Sequence, residues 1–293
     1  MTRSKSPTQA PQTVPCGRCM GCRLSRSRDW ATRIKHEASL HEDNVFLTLT
    51  YRDENLPEDY SISTREMQLF IKRLRKSIEP TKIRFYACGE YGDTTNRPHY
   101  HAIIFGWCPP DLEPWRKTKT GHLVYISSAL QSLWPSGDSY VGHVNHASAG
   151  YVARYCLKKM GGQLAEEHYL RVHPVTGALC QVSPEFGVMS TRPGIGRVWF
   201  DKWESDCFPS DFVVIDGQKV PVPKYYRERL KGRFVNPGSD PNALLDKDDL
   251  YPSKLIKREH IRAHAEDNTD ERLAVRGEVQ RLRIAQYQRD FEE

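Results

Sequence analysis

No stretch of this 293-residue chain is apolar enough to cross a bilayer, and no secretory hydrophobic segment stands near its start. Those two absences predict a chain held in a reducing cytoplasm, with its eight cysteines free or metal-bound rather than paired as disulfides. No internal repeat is visible, which sets aside solenoids and propellers. No H-E-x-x-H or comparable water-activating signature is present, so a hydrolytic metalloenzyme of that kind is disfavoured. Hydrophobic residues are only 38% of the chain and the mean hydropathy is -0.66, so polar tails are expected beside a globular core. Acidic side chains are in slight deficit, 37 against 43 Lys and Arg, and the formal charge of +6 is a mild pointer to a polyanionic partner.

Four segments follow from composition and periodicity. Residues 1–14 are Thr, Ser, Gln and Pro with little that is apolar, and are expected to be disordered. Residues 15–43 hold a Cys-rich turn and a basic helix. Cys16, Cys19 and Cys22 are spaced so that three thiolates can converge on one Zn2+, with Cys88 or His36 as fourth ligand if the fold brings either near; a loop of free thiols fits the same spacing. An iron–sulfur site lacks its fourth cysteine. The helix from Arg23 to about Leu40 sets Leu24, Ala31, Ile34 and Ala38 near helical spacing, and its basic outer face suits a phosphate backbone or plain solvent.

Residues 44–205 carry the main domain. A strand at Asn44–Tyr51 precedes a helix opened by the Ser63/Glu66 capping box, with Met67, Phe70, Ile71, Leu74 and Ile78 on one face. Lys82–Glu90 and Arg97–Trp107 make a hairpin, and Cys108–Lys119 is left without an element. A strand at His122–Ile126, a short helix ending near Pro135 and a strand at Tyr140–Asn145 follow. Ser148 then caps a helix from Ala149 to Met160, stopped by Gly161-Gly162. This order predicts an α+β fold, a split β-α-β antiparallel sheet with helices on one face. Residues 206–293 should form a hairpin about the Asp216-Gly217 turn and a charged helical tail.

The chemistry gathers in two places. His99 and His101 alternate along one strand, so both face the same way about 7 Å apart, and Glu90 ends the partner strand. Two imidazoles and a carboxylate can hold a metal ion with positions left open. Tyr151 and Tyr155 share a helical face, with Lys158 one turn on. A tyrosine oxygen can attack a phosphodiester whose phosphorus a metal polarises, and a lysine can position the phosphate or stabilise developing charge.

The ordered set Phe46-Leu47-Thr48-Leu49-Thr50, Glu90 with His99-Tyr100-His101, and Tyr151-x3-Tyr155-x2-Lys158 resembles the three motifs of HUH endonucleases that start rolling-circle replication. Cys16-Gly17-Arg18-Cys19 with Cys22-Arg23, His36-Glu37-Ala38-Ser39, Cys88-Gly89-Glu90-Tyr91-Gly92 and Arg192-Pro193-Gly194-Ile195-Gly196 resemble the replication initiators of gokushovirus-type microviruses. The resemblance covers roughly Cys16 to Trp203. It implies Mg2+ or Mn2+ at Glu90, His99 and His101, and a 5′-phosphotyrosyl intermediate at Tyr151 or Tyr155. It also implies single-stranded origin DNA as substrate, a host helicase and polymerase as partners, and the host bacterial cytoplasm as location. Arg97, Arg154, Arg192 and Arg197 are candidate DNA contacts. A plasmid initiator or transposase would use the same site. A non-catalytic binding protein stacking bases on Phe85, Tyr86 or Tyr100 is the reading from another class, and it leaves the histidines and paired tyrosines unexplained.

Overall fold

The computed structural model describes residues 2–4, 12–14, 16–17, 19–92, 95–118, 121–144, 149–150, 152–153, 164–173, 176–208, 210–234 and 269–285. Two compact units divide the chain, Met1–Asp29 with Phe200–Gln288, and Trp30–Trp199 with Arg289–Glu293.

In the first unit, β1 (Thr2–Ser4) and β2 (Gln12–Val14) pair antiparallel within the segment expected to be disordered. Backbone pairing helped by β-branched Thr2, Thr13 and Val14 is the local reason. Helix α1 (Met20–Ala38) starts ahead of the expected Arg23, its first turn closed by the Arg23 amide donating to the Cys19 carbonyl.

The second unit begins inside α1, at Trp30, and holds β3 (Asn44–Thr50), α2 (Thr64–Ser77), β4 (Arg84–Tyr91), β5 (Pro98–Phe105), β6 (Glu113–Lys117), β7 (Leu123–Ile126), α3 (Ser128–Leu133), β8 (Ser139–His143), β9 (Leu170–Val172), β10 (Leu179–Gln181) and β11 (Phe186–Met189). Seven of the strands form one antiparallel sheet in the order β11-β4-β5-β3-β8-β7-β6, while β9 and β10 pair separately.

Side-chain alternation divides the sheet into two faces. Leu47, Leu49, Ala87, Tyr100, Ala102 and Ile104 lie in one buried core with Met67, Phe70, Ile71 and Leu74 of α2 and Leu130 of α3. Each such apolar side chain contributes about 1.5–3 kcal/mol on burial. This is the expected helical layer. The opposite face is covered as well, with Phe46, Tyr86, Cys88, Ile103 and Phe105 packing against Ile34 of α1, Ala149, Val152 and Ile195.

Two strands escape a reading by periodicity. β6 falls inside Cys108–Lys119 and contains Pro114, which an edge strand tolerates, with a register shift between Pro114 and Arg116. β11 is only four residues long, and it lies against β4 because Gly89 lets it: a Cβ there would sit 2.6 Å from the Phe186 ring.

His36 of α1 is buried and stacks on Trp199 with ring centroids 3.4 Å apart. Burial pushes its pKa down to about 3, so the folded protein keeps the ring neutral where an unfolded chain protonates it below 6.5. The lowered value means that this stability is complete above pH 6.5 and is lost as pH falls towards 3. Between pH 7 and 4.5 the loss should be roughly 2–3 kcal/mol, read from denaturant midpoints. In His36→Gln that part of the pH dependence should vanish.

In the first unit, β12 (Phe212–Ile215) and β13 (Gln218–Pro221) form the expected hairpin, turning on Asp216 (φ 48°) and Gly217 (φ 78°), both in the left-handed region such a turn requires. Helices at Lys224–Phe234 and Asp270–Ala285 follow, and the second leaves Val275, Val279 and Leu282 exposed.

Candidate metal centre

The β4–β5 hairpin is registered so that Glu90 stands opposite His99 and Cys88 opposite His101, and β3 places Thr48 opposite His101 on the other side. Paired residues share a face, so the carboxylate, both imidazoles and the threonine project together on the Phe46 side of the sheet. The site is deeply set. Glu90 and His101 are fully buried and His99 is 9% exposed.

Both imidazoles turn Nε2 to one carboxylate oxygen, with His99 Nε2 3.0 Å and His101 Nε2 2.8 Å from Glu90 Oε1. The other ring nitrogens are held from behind. His99 Nδ1 donates to the Arg97 carbonyl at 3.1 Å, and His101 Nδ1 lies 3.1 Å from Thr48 Oγ1. A carbonyl only accepts, so Nδ1 carries the His99 proton and a neutral ring presents its Nε2 lone pair to Glu90. A lone pair facing a carboxylate oxygen is attractive only with a proton or a cation between them. This donor set fits a divalent ion: two Nε2 and one carboxylate oxygen within 4.8 Å of one another, each imidazole oriented by a bond at its far nitrogen. Burial alone would raise the Glu90 pKa, but hydrogen bonds and charge from His101 and His99 outweigh it and hold it at about 2. The carboxylate is ionised and ready to ligate.

Tyr151, Arg154, Tyr155 and Lys158 lie outside the described residues, as do Ser148 and Gly161-Gly162. Their neighbours Ala149 and Val152 are helical and belong to the core on the same sheet face as Glu90, His99 and His101.

The candidate DNA-contacting arginines are placed differently from one another. Arg97 braces the start of β5, its guanidinium donating to Asp53 and, at 2.9 Å, to the Tyr51 carbonyl. Arg192 is exposed, and Arg197 is half-buried at the start of the helix Arg197–Lys202. The glycine-rich run between them does not offer its amides as expected. Buried Glu37 accepts from the Gly196 amide at 2.6 Å and from Arg84, while Arg84 donates to the Pro193 carbonyl and Arg33 to that of Ile195. Burial would raise the Glu37 pKa, yet His41, that amide and Arg84 hold it below the usual carboxylate range. A carboxylate thus takes the place expected for a phosphate.

The stacking platform fails on burial, since Tyr86 and Tyr100 are fully enclosed and Phe85 lies beneath the Arg75 guanidinium, 5.6 Å from the ring. Among the described residues Cys16, Cys19 and Cys22 form the second cluster of metal-ligating type, joined by neither His36 nor Cys88, both of which are buried in the other unit. Sequence reasoning passed over Thr48, Glu37 and Arg84. Thr48 could have been found from strand alternation beside His101; nothing local signals the other two.

Residues 44–160 match a family model of replication-associated proteins of the ORF2 type. The chain is 35% identical over 225 residues to the replication-associated protein VP4 of Bdellovibrio phage phiMH2K, covering 74% of this chain and 67% of that one. It is 32% identical over 231 residues to the replication-associated protein ORF2 of Spiroplasma virus 4, covering 75% and 68%, and 38% identical over 227 residues to the replication-associated protein ORF4 of Chlamydia phage 1, covering 74% and 53%. No solved structure is significantly similar. With two relatives above 30% identity matched across two thirds of their length, and with the site lying inside the matched residues, the chain belongs to the replication initiator family of gokushovirus-type microviruses.

Proposed function

We propose that this protein starts rolling-circle replication by cutting and rejoining single-stranded origin DNA through tyrosine transesterification. The observation that carries the reading is the convergence of His99 Nε2 and His101 Nε2 on Glu90 Oε1, on the sheet face that Ala149 and Val152 of the tyrosine-bearing segment pack against. Glu90, His99 and His101 would hold Mg2+ or Mn2+, which when bound polarises the scissile phosphodiester. Thr48 and the Arg97 carbonyl keep both imidazoles aimed.

The phenol oxygen of Tyr151 or Tyr155 forms a bond to phosphorus, and the bond from phosphorus to the 3′ oxygen breaks. The phenol gives up its proton and the leaving 3′ oxygen gains one. A 5′-phosphotyrosyl link and a free 3′ hydroxyl result. Attack by a 3′ hydroxyl on that link reverses the exchange and joins the strand without ATP, because the phosphotyrosyl bond retains the energy of the bond it replaced. Lys158 would balance charge on the phosphate. With two tyrosines, one can hold a 5′ end while the other cuts the next genome length. The host helicase and polymerase would extend from the hydroxyl.

Incubation with Mn2+ and labelled single-stranded DNA from the genome that encodes the protein should leave label on the protein in a denaturing gel. Addition of EDTA beforehand should prevent this while sparing most DNA binding, which is electrostatic. Binding without adduct on any segment of that genome, with Mn2+ or Mg2+, would overturn the proposal.

A further inference from the structure

The described residues contain one further cluster with the chemistry of a site, at the head of α1. Cys16 Sγ lies 3.9 Å from Cys22 Sγ, and all three sulfurs of Cys16, Cys19 and Cys22 are within 4.8 Å of one another. A disulfide needs about 2.05 Å between sulfurs. Thiolates on a tetrahedral zinc, with bonds of about 2.3 Å, stand roughly 3.8 Å apart. The spacing fits the second arrangement.

The backbone is built for sulfur anions. Gly17 takes a φ of 74°, which closes the first C-x2-C turn, and the Cys19 amide donates to Cys16 Sγ at 3.3 Å. Cys19 is the last residue before α1 and Cys22 is the third within it, so two of the sulfurs lie at the positive end of a 19-residue helix whose first turn holds no acidic residue. A Cβ built on Gly17 would be 3.8 Å from Arg26 Nη2, which puts a guanidinium beside the same turn. Three thiolates around a divalent ion leave one net negative charge, and the helix end and Arg26 offset it.

We infer that Cys16, Cys19 and Cys22 bind one zinc ion through three thiolates, fixing the Cys-rich turn to the first turn of α1. No other described Cys, His, Asp or Glu joins the group, so the fourth position goes to water or to a donor from outside it. Thiolates select a soft or borderline ion, whereas the imidazole and carboxylate set of Glu90, His99 and His101 accepts a harder one. The chain would then carry two metals that do not exchange places.

The test uses the full chain, purified with zinc and then exchanged into Co2+. The expected result is one equivalent of metal bound with a near-ultraviolet sulfur-to-cobalt charge-transfer band of three-thiolate intensity, together with the visible bands of a tetrahedral ion. In Cys16→Ser/Cys19→Ser/Cys22→Ser the band should vanish, and in His99→Ala/His101→Ala it should persist. Because the charge-transfer band reports sulfur ligation alone, it is read independently of DNA cleavage and stands or falls apart from the nickase reading. Absence of the band in the wild-type protein would overturn the inference whether or not the triple variant folds, and so would a band that survives in the triple variant.

Discussion

Phenylalanine at both Tyr151 and Tyr155 is expected to abolish the covalent DNA adduct completely. The substitution deletes only the phenol oxygens, the atoms that would form the bond to phosphorus, and leaves the ring volume unchanged. DNA affinity, which rests on cations and the phosphate backbone, should stay within a few-fold of wild type. Each single variant should still form adduct with its remaining tyrosine but should fail to join strands over successive rounds, where one tyrosine must hold an end while the other cuts. The measurement is a denaturing gel for label on protein, run beside an assay for circular product. Adduct persisting in the double variant would mean that the nucleophile lies elsewhere.

Glu90→Gln should lower the rate of adduct formation at least about 10³-fold, equivalent to roughly 4 kcal/mol of transition-state stabilisation. Glutamine keeps the shape of the side chain, and its amide can donate to an imidazole Nε2, so the β4–β5 hairpin retains its packing. Far-ultraviolet circular dichroism should be unchanged. What it removes is the anionic ligand that both histidines face. Mn2+ affinity should therefore fall with the rate, and raising Mn2+ should recover part of the activity. His101→Ala is the less clean variant, because His101 stacks on Phe46 with centroids 5.4 Å apart and its loss opens a cavity costing a few kcal/mol. A Glu90→Gln protein that cuts at the wild-type rate would remove the carboxylate from the mechanism.

The metal centre was legible because it depends on the shortest-range rules of the fold. Alternation puts His99 and His101 on one face, and a hairpin between Glu90 and His99 leaves few registers, so the pairing Glu90↔His99 follows with little freedom. The hydrophobic face of α2 was legible for the same reason, through Met67, Phe70, Ile71 and Leu74. The Glu37 cluster was not. Its partners Arg84 and Gly196 are 47 and 159 positions away, and no local pattern encodes a contact of that span. The run Arg192 to Gly196 misled because a buried carboxylate and a phosphate ask for the same donors, a guanidinium and a backbone amide. β6 was hidden by Pro114 and β11 by its length.

The position of β11 bears on where the molecule can be cut. It covers the outer side of β4, the strand that carries Glu90, and it comes from Phe186–Met189, beyond the 44–160 span matched by the family. A fragment trimmed to that span would lose β11 and the loop that Glu37 and Arg84 fasten. β4 would become an open edge with unpaired amides and carbonyls, prone to pair with another copy. The smallest autonomous piece that keeps the centre walled on both sides therefore runs from Trp30 to Trp199, and the recognisable motif is shorter than the body that makes it work.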